Sequence, residues 1–132
     1  IVRTMVKLKL KTSQWIVDHQ DKIVIGKGRM EILENIETTG SINQAAKTMK
    51  MSYKAVWSKI KATEKHLNIR IVHTDRKEGT RLSREGRELL EKYRLLKKEC
   101  ISADDDIFST IFDSPVKRRR DQGKIRSGGK FR

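Results

Sequence analysis

The residues able to do catalytic or metal chemistry are few and scattered. Cys100 is the one cysteine, and His19, His66 and His73 stand at no metal-ligand spacing. No P-loop, GxGxxG or nucleophile elbow occurs. An enzyme is therefore not expected, nor a bound metal or cofactor. The polar side chains that do cluster are hydroxyls, amides and cations between Ser41 and Lys61, a set suited to hydrogen-bonding an anionic or polar surface. Ser41, Asn43, Gln44 and Ser52 bring hydroxyl or amide groups, or free backbone amides, to helix starts, where phosphates bind. Tyr53, Lys54, Trp57, Ser58 and Lys61 follow within nine residues.

Three helices position this cluster. Met30, Leu33 and Ile36 recur at helical steps, which predicts an amphipathic helix over 29–39 closed by Gly40. Ser41 with Gln44 three residues on predicts a reciprocal capping box for a short second helix, its inner side built from Ile42, Ala45, Ala46 and Met49. Lys50-Met51 is the expected turn, and Ser52 the cap of a third helix ending near Leu67. On that helix Val56, Ile60, Thr63 and Leu67 fall in one arc, the expected buried stripe. Lys54, Ser58, Lys61 and Lys65 lie opposite, with Trp57 on one flank and Tyr53 nearer the stripe. Two short helices and a tight turn, with a basic outer face on the second, outline a helix-turn-helix. Small Ala45 and Ala46 allow the close approach such a pair needs.

Strand patterns flank the helices. Val6, Leu8 and Leu10 alternate with Lys7, Lys9 and Lys11, and Trp15-Ile16-Val17 and Ile23-Val24-Ile25 bracket the polar turn 18–22. Two or three antiparallel strands are expected there, with Gly26 and Gly28 punctuating the chain after them. Ile69 to Thr74, a turn over Asp75 to Thr80 and Arg81-Leu82 predict a strand, turn and strand. Placed after a three-helix unit, this has the outline of a wing, with Arg76, Lys77 and Arg81 as its candidate DNA contacts. Ser83 then caps a long fourth helix carrying Leu89, Leu90, Tyr93, Leu96 and Cys100. Ala103 to Phe112 either extends it or restarts it. Its residues Leu89, Tyr93, Leu96, Phe108 and Phe112 are the candidate interface of a two-fold homodimer, the alternative being that the first three only close the core.

The fold class is mainly α with small β, an α+β winged helix-turn-helix with an N-terminal β-hairpin and a long C-terminal helix. Within 132 residues, residues 1–115 are expected to form this domain with its dimerisation helix, and 116–132 a disordered basic tail. The whole chain carries 31 Lys+Arg against 17 Asp+Glu, a net +14. From Val116 to Arg132 eight bases face one acid, a surplus of seven and thus half of that charge. The remainder stays basic without the tail, which makes a polyanion the first partner to expect. No apolar run reaches the roughly 18 residues of a membrane span, no signal peptide is recognisable, and a lone thiol suits a reducing cytoplasm. A cytoplasmic protein with no membrane role is expected.

The stretch Gly28 to Leu67, GRMEILENIETTGSINQAAKTMKMSYKAVWSKIKATEKHL, resembles the N-terminal DNA-binding domain of ModE-type, molybdate-responsive regulators. It is more distantly similar to the winged helix-turn-helix of LysR-type regulators. The resemblance rests on Thr39-Gly40-Ser41-Ile42, Ala45-Ala46, and Met51-Ser52-Tyr53-Lys54 followed by Trp57. Arg81 to Arg94, RLSREGRELLEKYR, is similar to the leucine-hydroxyl-x-x-glycine opening of the family's last helix, so the likeness covers about residues 5–100. It implies a sequence-specific, double-stranded-DNA-binding transcriptional regulator acting as a homodimer, with the helix 52–67 in the major groove. A low-specificity architectural or nucleoid-type DNA binder is the alternative. Two departures stand out: Lys50 replaces the usual turn glycine, predicting a strained or different turn, and the wing is short. The family binds molybdate through separate C-terminal domains for which this chain has no room, so no molybdate binding is expected.

Overall fold

The structure is a computed structural model and describes residues 7–113. The expected basic tail 116–132 lies outside the described residues. Elements run β1 (Ile16–Val17), β2 (Ile23–Ile25), α1 (Lys27–Thr39), α2 (Ile42–Met49), α3 (Tyr53–Leu67), β3 (Val72–Asp75), β4 (Gly79–Leu82) and α4 (Arg84–Phe112). β1 pairs antiparallel with β2, and β3 with β4. Among the described residues, no helix is long and apolar enough to cross a membrane.

The chain divides into two compact units. Residues 13–100 form one; of the described residues, the other takes in 7–12 and 101–113. In the first, buried apolar residues from every helix and both hairpins make one core, including Ile25, Ile32, Ile36, Val56, Ile71 and Leu90. In the second, Phe108 and Phe112 stack at 4.8 Å, one turn apart. α4 is a single helix, so Ala103 to Phe112 extends it rather than restarting.

Several expectations change. Lys7 to Lys11 form no strand, and Leu8 and Leu10 are exposed. Alternation alone does not make a strand; it needs a ladder partner, and none among the described residues pairs with this stretch. α1 begins two residues earlier than predicted, so Gly28 lies inside it rather than in a turn. The third strand begins at Val72, not Ile69, and its pairing runs on to Asp75 opposite Gly79. The connecting turn is therefore only Arg76 to Glu78, and Gly79, which follows it as the first residue of β4, takes the left-handed φ of +84°. Asp75 stabilises it by accepting the amides of Lys77 (2.7 Å) and Glu78 (3.1 Å).

Lys50 shows that a missing glycine need not change a turn. It occupies the left-handed region at φ +56°, ψ +44°, where glycine would sit without a Cβ penalty, and its amide donates to Ala46 and Lys47 carbonyls. The turn keeps the glycine geometry at a cost of about 1 kcal/mol. Gly86 is constrained differently. A Cβ there would fall on the backbone carbonyl of Ile71, so glycine alone lets the first turn of α4 cross the base of β3.

Both positions yield a test by thermal unfolding. Lys50→Gly raises stability by roughly 0.5–1 kcal/mol and the Tm by about 4 °C; an unchanged or lower Tm contradicts the strain. Gly86→Ala lowers stability by more than about 2 kcal/mol, because backbone and not a flexible side chain must move. A Tm within 2 °C of the parent, roughly half a kcal/mol, rules out that close approach.

Candidate nucleic-acid interface

α2 and α3 are set by their caps. Ser41 Oγ accepts the amide of Gln44 at 3.1 Å, as expected, but the second half of the capping box is absent. The Ser41 amide donates instead to Thr39 Oγ1 at 3.2 Å, so a hydroxyl upstream does what the Gln44 side chain was expected to do. Gln44 and Asn43 are left exposed on α2. Across the turn, Ser52 Oγ accepts the amide of Ala55 at 3.0 Å and its carbonyl takes that of Val56. The first-turn amides of Tyr53 and Lys54 therefore remain as donors at the positive end of α3.

The wheel of α3 divides as the pattern predicted, with one difference. Val56, Ile60 and Thr63 are buried, Leu67 only partly. Lys54, Ser58, Lys61 and Lys65 are exposed, together with Ser52 and Tyr53. Trp57 is half-buried and packs against the core. Tyr53 stacks on it with centroids 6.4 Å apart and planes 16° apart. Lys61 Nζ lies 4.5 Å from the Trp57 ring on the next turn.

Arg76, Lys77 and Arg81 are exposed on the β3–β4 hairpin. Arg81 approaches Glu78 at 3.9 Å with both side chains largely in solvent, a pair of little energetic consequence. Thr80 donates its amide to the Gly40 carbonyl at 2.9 Å, which ties the hairpin to the turn between α1 and α2.

The expected dimer residues do not form one surface. Tyr93 is 1% exposed and its hydroxyl donates to the Gln14 carbonyl at 2.6 Å. Leu89 is packed against the same core. Both are taken up within the chain, because their turns of α4 face the core of residues 13–100. Leu96 and Phe112 are exposed and Phe108 half-buried.

Glu64 was not singled out in sequence, although it is the one acid among the four lysines of α3. Its carboxylate accepts the amides of Ile71 (2.8 Å) and Val72 (3.4 Å) and pairs with Lys61 at 3.0 Å. Burial pushes this carboxyl up, but the Ile71 amide, Lys61 and the Val72 amide outweigh it and hold it below the ordinary carboxylate range. Lys61 is thus already engaged, whereas Lys54 and Lys65 have no ion pair among the described residues.

Comparison with known proteins follows this geometry. Residues 28–87 match the model of the bacterial regulatory helix-turn-helix protein, lysR family. The molybdenum transport protein ModE of Azotobacter vinelandii is 40% identical over 81 residues, which cover 58% of this chain and 30% of that protein. The transcriptional regulator ModE of Haemophilus influenzae is 36% identical over 83 residues, covering 60% and 32%. The chain thus spans less than a third of the length of these relatives. Among solved structures, the CbnR DNA-binding domain in its DNA complex superposes with a TM-score of 0.52 at 20% identity, over 63% of this chain and 95% of that one, a likeness of fold.

The Glu64 contacts give a pH-dependent test. Its folded pKa is depressed, so the stability it adds is present above the ordinary value of 4.5 and is lost as pH falls through the lower folded value. Glu64→Gln should cost about 1–2 kcal/mol at pH 7. The gap between variant and parent should shrink in urea titrations near pH 3, as the parent carboxylate protonates. A gap of equal size at both pH values argues against the charged contact.

Proposed function

We propose, from the match of residues 28–87 to the lysR-family helix-turn-helix model and from the site's geometry, that the chain is a sequence-specific, double-stranded-DNA-binding transcriptional regulator. The observation that carries this reading is the division of α3. A narrow buried stripe of Val56, Ile60 and Thr63 leaves Lys54 and Ser58, the Ser52 cap and two free first-turn amides open on the other side. That side fits a major groove about 12 Å wide, where hydroxyl and amide groups read base edges and cations meet phosphates. Ser41, Asn43 and Gln44 on α2 contact the backbone, and Arg76, Lys77 and Arg81 of the wing reach phosphate or the minor groove. The likeness to ModE and to the DNA-bound CbnR domain supports the same reading.

The protein acts as a homodimer in the cytoplasm, does no chemistry of its own and needs no cofactor. Leu96 and Phe112, exposed on α4, and half-buried Phe108 provide apolar surface for the second copy, without Leu89 and Tyr93. A dimer sets two recognition helices about 34 Å apart and selects inverted repeats. The high charge favours one competing reading, an architectural binder of low specificity.

Selection of genomic fragments at about 0.15 M salt separates the two, with log K expected to fall at a slope near −4.5 per protomer if about five phosphates are neutralised. The regulator enriches one inverted-repeat motif, and Lys54→Ala or Ser58→Ala shifts the preferred sequence. Removing residues 116–132 weakens binding to all sequences alike and flattens the salt slope. Discrimination over random DNA below about tenfold favours the architectural reading instead.

A further inference from the structure

We propose that the ring of Tyr53 reads the 5-methyl group of thymine in the major groove, held for that purpose by Trp57 and Lys61. The proposal rests on the DNA-binding reading above and adds the base feature recognised at the start of α3.

Tyr53 is the first residue of α3 and 46% exposed, an aromatic ring on a helix whose other exposed side chains there are polar. It is not loose. The ring lies against Trp57 in a near-parallel stack, and Trp57 is itself anchored on the core. Lys61 sits over Trp57 from the next turn, fixed by its ion pair with Glu64, whose carboxylate is tied to the backbone of Ile71 and Val72. Each member of the ladder from Tyr53 to Glu64 is restrained by the next, down to backbone at the base of the wing. An apolar contact made by so restrained a ring loses little side-chain entropy on binding.

The position selects the ligand chemistry. Residues in the first turns of a recognition helix are the ones that meet base edges. Lys54 and Ser58, beside the ring, can donate to or accept from the polar atoms of those edges. An aromatic surface can shed its water profitably only against an apolar group, and the major-groove edges of the four bases offer one, the C5-methyl of thymine. Two other uses of Tyr53 are chemically distinct: a hydroxyl bond to phosphate, and packing on deoxyribose. Neither depends on the methyl group.

The test uses the full chain and the DNA motif it selects. Thymines of the motif are replaced singly by uracil, which removes the methyl and keeps every hydrogen bond. Binding should fall about fourfold at one thymine in each half-site, the worth of one buried methyl. Tyr53→Ala should then bind the thymine and uracil forms equally, and Tyr53→Phe should keep the discrimination. The exposed position of Tyr53 means that both variants fold, which circular dichroism checks. Equal binding of all uracil forms by the parent chain overturns the proposal. So does discrimination that survives Tyr53→Ala, or that is lost in Tyr53→Phe, which would assign the contact to the hydroxyl. If no motif is selected at all, the DNA-reading premise fails with it, and that outcome is seen before any uracil is introduced.

Discussion

The backbone of Ile71 is where α3, the β3–β4 wing and the start of α4 are joined. Its amide is taken by Glu64 of α3 at 2.8 Å. Its carbonyl accepts the amide of Ser83 at 2.9 Å, and Gly86 passes so close to it that a Cβ would collide. Ser83 completes the joint: its hydroxyl donates to the Arg70 carbonyl at 2.6 Å and accepts the Gly86 amide at 2.9 Å, starting α4. Ile71 itself is 1% exposed, and Ser83 is 3% exposed. Buried backbone groups left unpaired would cost more than the bonds contribute. The joint therefore tolerates few alternatives, and the wing, the recognition helix and the start of α4 are placed together or not at all.

The β1–β2 hairpin braces α3 from its other side. Thr63 is the polar member of the buried stripe, and its hydroxyl donates to the Val24 carbonyl at 2.7 Å. Arg29, from α1, reaches the same place, donating to the Ile23 carbonyl at 2.6 Å and to Thr63 Oγ1 at 3.2 Å. Near the end of α3, His66 Nδ1 lies 3.1 Å from Asp18 Oδ2 in the hairpin turn. Asp18 already accepts the amides of Lys22 and Gln20, contacts that hold its carboxyl below the ordinary range. A helix held at Thr63 and His66 on one side and at Glu64 on the other has little freedom to roll. That rigidity is what lets a few exposed side chains carry specificity.

The elements legible in the sequence were those whose signals are local. Helical spacing found α1 to within two residues of its start, and the caps Ser41, Ser52 and Ser83 fixed the starts of α2, α3 and α4. The buried stripe of α3 and its exposed hydroxyl and lysine face followed from the same periodicity. What sequence missed depends on partners distant along the chain. The alternation from Val6 to Lys11 looks like a strand, but pairing is decided by a neighbour that no local pattern reveals. Tyr93 and Leu89 fit either a dimer stripe or the core, because the apolar spacing of α4 runs along its length and does not say which turns are covered. Only packing shows that its first turns cover the core, with Tyr93 bonded to Gln14. The capping box is the local exception: Gln44 fits it, but Thr39, two residues before Ser41, takes its place. Glu64 was not singled out, because its partners Ile71 and Val72 lie seven and eight residues on.

This separation between placing and touching also orders the lysines and arginines. A count of positive charge treats Lys54, Lys61, Lys65, Arg76 and Lys77 as equivalent phosphate ligands. The structure does not. Lys61 is held between Glu64 and the face of Trp57, so drawing it to a phosphate would require giving up an ion pair and a ring contact. Lys54 would lose no such contact, and it stands beside the free amides at the positive end of α3. On the proposed DNA-binding reading, charge reversal or removal at Lys54 acts directly on the groove contact. At Lys61 the same change acts first on the orientation of Trp57 and, through it, of Tyr53. On the proposed DNA-binding reading, the strength of attraction follows from how many cations there are, whereas selectivity follows from the side chains at the start of α3, the free Lys54 and the restrained Tyr53 alike.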